Sequence, residues 1–221
     1  MSVTSLHARF WVAPVALVGW LGTAVAVRPA VVEVRLAQSD GAPLDEAVLT
    51  AYPLDGRALP PPKPAVLDQR GQRFEPHVLP VQTGARVSFP NSDTVSHHVY
   101  SFSPARRFEI FLRKDAAPKD VVFDKPGVVA LGCNVHDWML AYVYVVDTPY
   151  FALTAKDGTA QLAGLPAGRY RLEAWHPRLV DPPATLHRDV ALAADSRESW
   201  SLRLEKALLP ARDQRPRFVD Y

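Results

Sequence analysis

Beyond residue 27, no stretch of this 221-residue chain sustains a 3.6-residue apolar period for three turns, and that absence constrains the fold more than any single motif. What recurs instead are short β-rich runs cut by Gly, Pro, Asn and Asp. Val31 to Leu36 sets Val32, Val34 and Leu36 against Glu33 and Arg35, the two-residue period of a half-buried strand. Ser39-Asp40-Gly41 reads as a turn, with Ala47 to Tyr52 as the return strand. Leu79, Val81, Val87 and Phe89 flank a Gly84 turn. Strands are then predicted over Val99 to Phe102, Phe108 to Leu112, Val121 to Phe123, Val128 to Leu131 and Ala141 to Val146. This pattern predicts an all-β protein, as a sandwich or Greek-key barrel. Pro53 to Pro64 holds five prolines in twelve residues, which excludes helix and central strand, so 53–73 is expected to be an extended loop.

A second unit is predicted over residues 148–205. Lys156 to Leu162 reads as a turn and strand, and Gly164 to Gly168 as a turn leading into the alternating Tyr170 to Trp175. Val190 to Leu192 and Trp200 to Leu204 add two more strands. So short a unit cannot bury a sufficient core alone and must lean on the first domain or borrow strands from it. Residues 206–221 are expected to form a mobile tail.

Apolar content of 48% with 22% charged residues is that of a folded globular chain. A formal charge of +2 excludes an electrostatic case for nucleic acid or an anionic membrane as partner. Residues 1–26 carry the marks of a secretory signal peptide. Arg9 precedes an uncharged run from Trp11 to Val27, and Ala24-Val25-Ala26 is a small-x-small cleavage pattern. Such a chain is expected in the periplasm, with no membrane span once processed; retention of the run as an anchor is the alternative. One cysteine in an exported protein calls for a purpose other than a disulfide.

That purpose is suggested by Gly132-Cys133-Asn134-Val135-His136-Asp137-Trp138-Met139. The only cysteine, one of 7 histidines and the only methionine besides Met1 fall three residues apart in turn. Random placement would give this about 3 times in 10,000. Thiolate, imidazole and thioether together are the ligand set that copper prefers, whereas zinc takes thioether poorly. A second imidazole has to come from another strand, and His97 or His98 is available in Phe89-Pro90-Asn91-Ser92-Asp93-Thr94-Val95-Ser96-His97-His98. A Cys133/His136 nucleophilic pair would leave Met139 without a role. No catalytic residues are expected, and the chain is read as not an enzyme. His176, at a strand end before Pro177, reads as packing.

On these residues the chain resembles the cupredoxins, and within them the amicyanin and plastocyanin types often labelled methylamine-utilisation proteins. Phe89 and Asn91 match the aromatic and asparagine that precede the first histidine ligand, and Gly127 the glycine six residues before the cysteine. The two-residue gaps between Cys133, His136 and Met139 match the short ligand loop of amicyanin. The resemblance covers residues 74–146 and implies a cupredoxin Greek-key β-sandwich over 27–147. It also implies one type 1 Cu(I)/Cu(II) copper held by His97, Cys133, His136 and Met139. Three positions depart from the pattern: His98 replaces an asparagine that ties the ligand loops together, Leu131 an aromatic, and Asp137 a proline.

The unit at 148–205 resembles the transthyretin-like, carboxypeptidase-regulatory-like modules through Asp157-Gly158, Leu165-Pro166-Ala167-Gly168 and Ala174-Trp175. This implies a small second β-sandwich without catalytic activity. Asp40-Gly41-Ala42-Pro43-Leu44 fits the first hairpin of such a module, so 31–52 suits either unit. The expected function is one-electron transfer, as a monomer, between periplasmic redox proteins or a dehydrogenase. Copper delivery and a structural β protein with a vestigial site are the alternatives.

Overall fold

The computed structural model describes residues 29–179, 187–194 and 197–203. The segments read as signal peptide and tail lie outside these residues. Seventeen strands are described, with no helix among them, and hence none long and apolar enough to cross a membrane.

Two sandwiches share the chain. In the first, β14 (Thr159–Leu165), β1 (Ala30–Ala37) and β17 (Arg197–Arg203) form one sheet. Facing it is the sheet of β13 (Phe151–Leu153), β2 (Val48–Pro53), β15 (Gly168–Trp175) and β16 (His187–Leu192). Alternation along β1 sends Val32, Val34 and Leu36 into a core with Leu49, Leu162, Tyr170 and Leu172. In the second sandwich, β10 (Lys119–Phe123), β7 (Ala85–Phe89) and β3 (Ala65–Val66) form one sheet. The other runs β6 (Val78–Gln82), β12 (Leu140–Val146), β11 (Gly127–Cys133), β8 (His97–Ser101), β9 (Phe108–Leu112). Phe89, Phe123, Val99, Leu131 and Val143 fill the space between them. A short hairpin, β4 (Asp68–Gln69) with β5 (Phe74–Glu75), forms its own two-stranded sheet against the second sandwich, with Phe74 in that core and Gln69 bridging Asn91.

Two features differ from the expectation. β1 and β2 are not a hairpin. They lie in opposite sheets of the same sandwich, β1 between β14 and β17 and β2 between β13 and β15. Residues 31–52 therefore pair with the strands that follow residue 148, and the second sandwich sits between β2 and β13 in the chain. The turn residues 39–41 set the direction of the chain but not the pairing, which follows the two-sided burial of β2. The proline-rich stretch is also not all loop. Past its last proline, β3 pairs in parallel with β7, and Leu67 and Gln69 are fully buried.

The sandwiches meet through strands buried on both faces. In β12, Ala141, Val143 and Val145 enter the second core, whereas Tyr144 and Val146 face the first sandwich. There they meet Val48 and Trp175, and Tyr144 stacks on Trp175 at 4.5 Å between ring centroids.

Candidate metal centre

His97 opens β8 and Cys133 closes β11, and the two strands are antiparallel neighbours with Cys133 opposite Val99. Both residues therefore lie at one end of the sheet. Alternation places both on the inner face: His97, Val99 and Ser101 are buried on β8, and Val129, Leu131 and Cys133 on β11. Immediately after Cys133 the chain turns back, with the Met139 amide donating to the His136 carbonyl at 3.1 Å. That turn returns His136 to the same end. His97 is 0% exposed, Met139 3%, Cys133 4% and His136 8%.

The donor atoms converge. Cys133 Sγ lies 3.8 Å from His97 Nδ1 and 3.9 Å from His136 Nδ1, and the ligand atoms of all three residues fall within 4.8 Å of one another. A thiolate at about 2.3 Å and an imidazole at about 2.0–2.1 Å from one first-row ion, about 120° apart, stand roughly 3.8 Å from each other. The spacing thus suits a shared ion. Met139 is buried in the same core cluster as Cys133. Two imidazoles, a thiolate and a nearby thioether fit copper.

Electrostatics agree with a ligand role. Burial pushes the Cys133 thiol up, but hydrogen bonding with His97, the backbone at His98 and Val135, and His136 outweighs it and brings the thiol down to about 6. Burial disfavours the charged form of His97, yet Cys133 and Asp93 together raise its pKa.

His98 faces the other side of the sheet, where its Nε2 lies 2.6 Å from Glu109 Oε1. Its Nδ1 is 3.1 Å from Asn134 Nδ2, and the Asn134 amide donates to the His98 carbonyl at 3.0 Å. The tie between the two ligand loops is therefore present, made from Asn134 on the cysteine side. Asn91 orders the first loop by donating to the Val95 and Leu112 carbonyls at 2.9 and 3.2 Å. Leu131 is a core residue, and Asp137 occupies the turn between His136 and Met139.

The sequence reading missed Asp93. Its Oδ2 lies 2.8 Å from His97 Nε2, with the side chain 10% exposed. An acid four residues before the first histidine is the only local signal. It also missed the β4–β5 hairpin, whose Gln72 carbonyl accepts from Trp138 Nε1 at 3.1 Å; the Trp138 ring in turn lies 5.2 Å from that of His136.

The structure is all-β with a buried Cys/His/His group, and the solved structures it resembles are cupredoxins over part of the chain. One is a purple cupredoxin from Nitrosopumilus maritimus, 22% identical, covering 37% of this chain and 99% of that one at a TM-score of 0.34. Another is an amicyanin variant in its reduced Cu(I) form, 19% identical, covering 46% of this chain and all of that one, also at 0.34. A copper-containing nitrite reductase from Thermus scotoductus is 20% identical, covering 50% of this chain and 28% of the enzyme, at 0.34. No protein-family model matches the sequence, and no curated protein matches it.

Proposed function

We propose that this chain is an exported type 1 copper protein that carries single electrons between redox partners. The observation that supports it most is the convergence of the ligand atoms of His97, Cys133 and His136 within 4.8 Å, buried at one end of a sheet. In this reading His97, Cys133 and His136 would be the strong ligands and Met139 would add a weak thioether. Bound copper supplies a Cu(I)/Cu(II) couple. The protein's part is to hold its ligands still: two stand on paired strands, and the third is fixed by a turn whose amide and carbonyl are bonded to each other. A site that need not rearrange transfers electrons with little reorganisation. Burial of every proposed ligand favours retention of the metal over its delivery. His136, at 8% the most exposed of them, is the natural route for electrons. The partner is a periplasmic redox protein or dehydrogenase, and the other sandwich is structural or partner-binding.

The test is optical. Purified protein loaded with one equivalent of Cu(II) should be intensely coloured by thiolate-to-metal charge transfer, and Cys133→Ser should abolish the band. A colourless wild type holding stoichiometric Cu(II) would remove the type 1 reading.

A further inference from the structure

We propose that Asp93 is a positioning residue for His97, and that the Gly71-Gln72 turn of the β4–β5 hairpin sets the reduction potential of the centre by holding Asp93 in place. This rests on the copper reading above. A carboxylate only accepts hydrogen bonds, so the 2.8 Å contact with Asp93 Oδ2 assigns the proton of His97 to Nε2. In the neutral ring, the form that can ligate a metal, the lone pair is then left on Nδ1, the nitrogen that faces Cys133 Sγ. A carboxylate on the far nitrogen makes an imidazole a better donor and fixes its ring orientation.

What holds the carboxylate is unusual for a surface loop. The Gly71 amide donates to Asp93 Oδ1 at 2.5 Å and the Gln72 amide to Oδ2 at 2.9 Å. Both residues have left-handed backbones, φ 59° and 55°, and Arg70 and Arg73 exchange backbone hydrogen bonds of 3.0 and 3.2 Å across them. That is the signature of a two-residue type I′ hairpin turn. Gln72 is not glycine, so its left-handed conformation carries a cost that the surrounding contacts must offset. The same turn reaches the second ligand loop, since the Gln72 carbonyl accepts from Trp138 Nε1. One turn therefore braces both ligand loops, through a charge on the His97 side and a neutral donor on the His136 side. Negative charge next to His97 favours Cu(II) over Cu(I).

Asp93→Asn keeps the size and one acceptor while removing the charge. It should leave the charge-transfer band in place and raise the midpoint potential by the equivalent of about tenfold in the Cu(II)/Cu(I) preference, about 59 mV for one electron. Asp93→Ala should shift the potential further, and Asp93→Glu should return it toward wild type. Nitrogen NMR of the metal-free protein, recorded at a pH where His97 is neutral, is the independent readout: the ring should carry its proton on Nε2 in the wild type and lose that preference in Asp93→Ala. Potentials unchanged in Asp93→Asn and Asp93→Glu alike, or a wild-type His97 protonated on Nδ1 alone, would overturn the proposal. If the wild type shows no charge-transfer band, the copper reading fails while the NMR comparison still decides the role of Asp93. Should Asp93→Ala not fold, Asp93→Asn carries the test in both readouts.

Discussion

His97 and His98 are neighbours in the chain and serve opposite faces of β8. His97 is fully buried beside Cys133, whereas His98 spans Glu109 and Asn134 on the outer face. The resemblance favoured His97 through Phe89 and Asn91, but only strand alternation separates the two physically. His97→Ala is expected to eliminate the charge-transfer band, while His98→Ala should keep it and cost about 1 kcal/mol or less, as expected for a partly exposed pair. Absorption spectra of the two copper-loaded variants decide this, and the reverse pattern would make His98 the ligand. That Cys133, His136 and Met139 belong together was legible because their residue types are rare in this chain. Asp93 was not. One of 23 acidic residues carries no compositional signal, and its role depends on two amides more than twenty positions earlier.

Elements longer than four residues with clear alternation were read close to where they lie: Phe108 to Leu112 is β9, and β12 and β15 differ from expectation by one or two residues. The two-residue strands β3, β4 and β5 were invisible because a period of two cannot be established over two residues. Pairing order was equally hidden, as shown by β1 and β2. Part of that arrangement is held by one side chain. Thr154, just past β13, is 3% exposed; its Oγ1 donates to the Leu44 carbonyl at 2.7 Å and accepts the Ala47 amide at 2.9 Å. It pins the segment that carries the chain from one sheet to the other. Thr154→Val keeps the shape and strands two buried backbone groups, so a loss of about 2–4 kcal/mol is expected, at about 1–3 kcal/mol per unsatisfied group with partial relief by water. Urea denaturation of the metal-free protein measures it. A loss under about 0.5 kcal/mol would mean that the segment finds other partners.

At the scale of the molecule, the contact between sandwiches is built from valines and aromatic rings around Trp175. Trp175→Ala removes the stack on Tyr144 and opens a cavity beside Val48 and Val146, for a loss of about 3–5 kcal/mol. Calorimetry should then resolve two transitions where the wild type shows one, with the copper band retained; a single transition shifted downward would mean that the sandwiches unfold together regardless. His176 next to it is expected to make the fold acid-sensitive. Burial, helped by Arg178, lowers its pKa to about 4 against the weaker opposing pull of Glu46, and its Nδ1 accepts the Arg178 amide at 3.1 Å. Above pH 6.5 the ring is neutral folded or unfolded and contributes no pH dependence. As pH falls from 6.5 to 4 the unfolded chain takes up a proton that the folded one refuses, so stability drops by on the order of 3 kcal/mol. His176→Gln should flatten that slope in denaturation curves of the metal-free protein; an unchanged slope would assign the acid sensitivity elsewhere.

The pairing of β1 with β17 carries a mechanical consequence. The two strands run parallel in register from Val31 opposite Arg197 to Ala37 opposite Arg203. Tension applied to the chain before β1 and after β17 loads that ladder in shear, so that its hydrogen bonds must fail together and not one at a time. The sandwich holding Cys133 and its neighbours is spliced in between β2 and β13, off the line of force. A tether at either end of this chain could be pulled hard while the proposed metal ligands feel no strain.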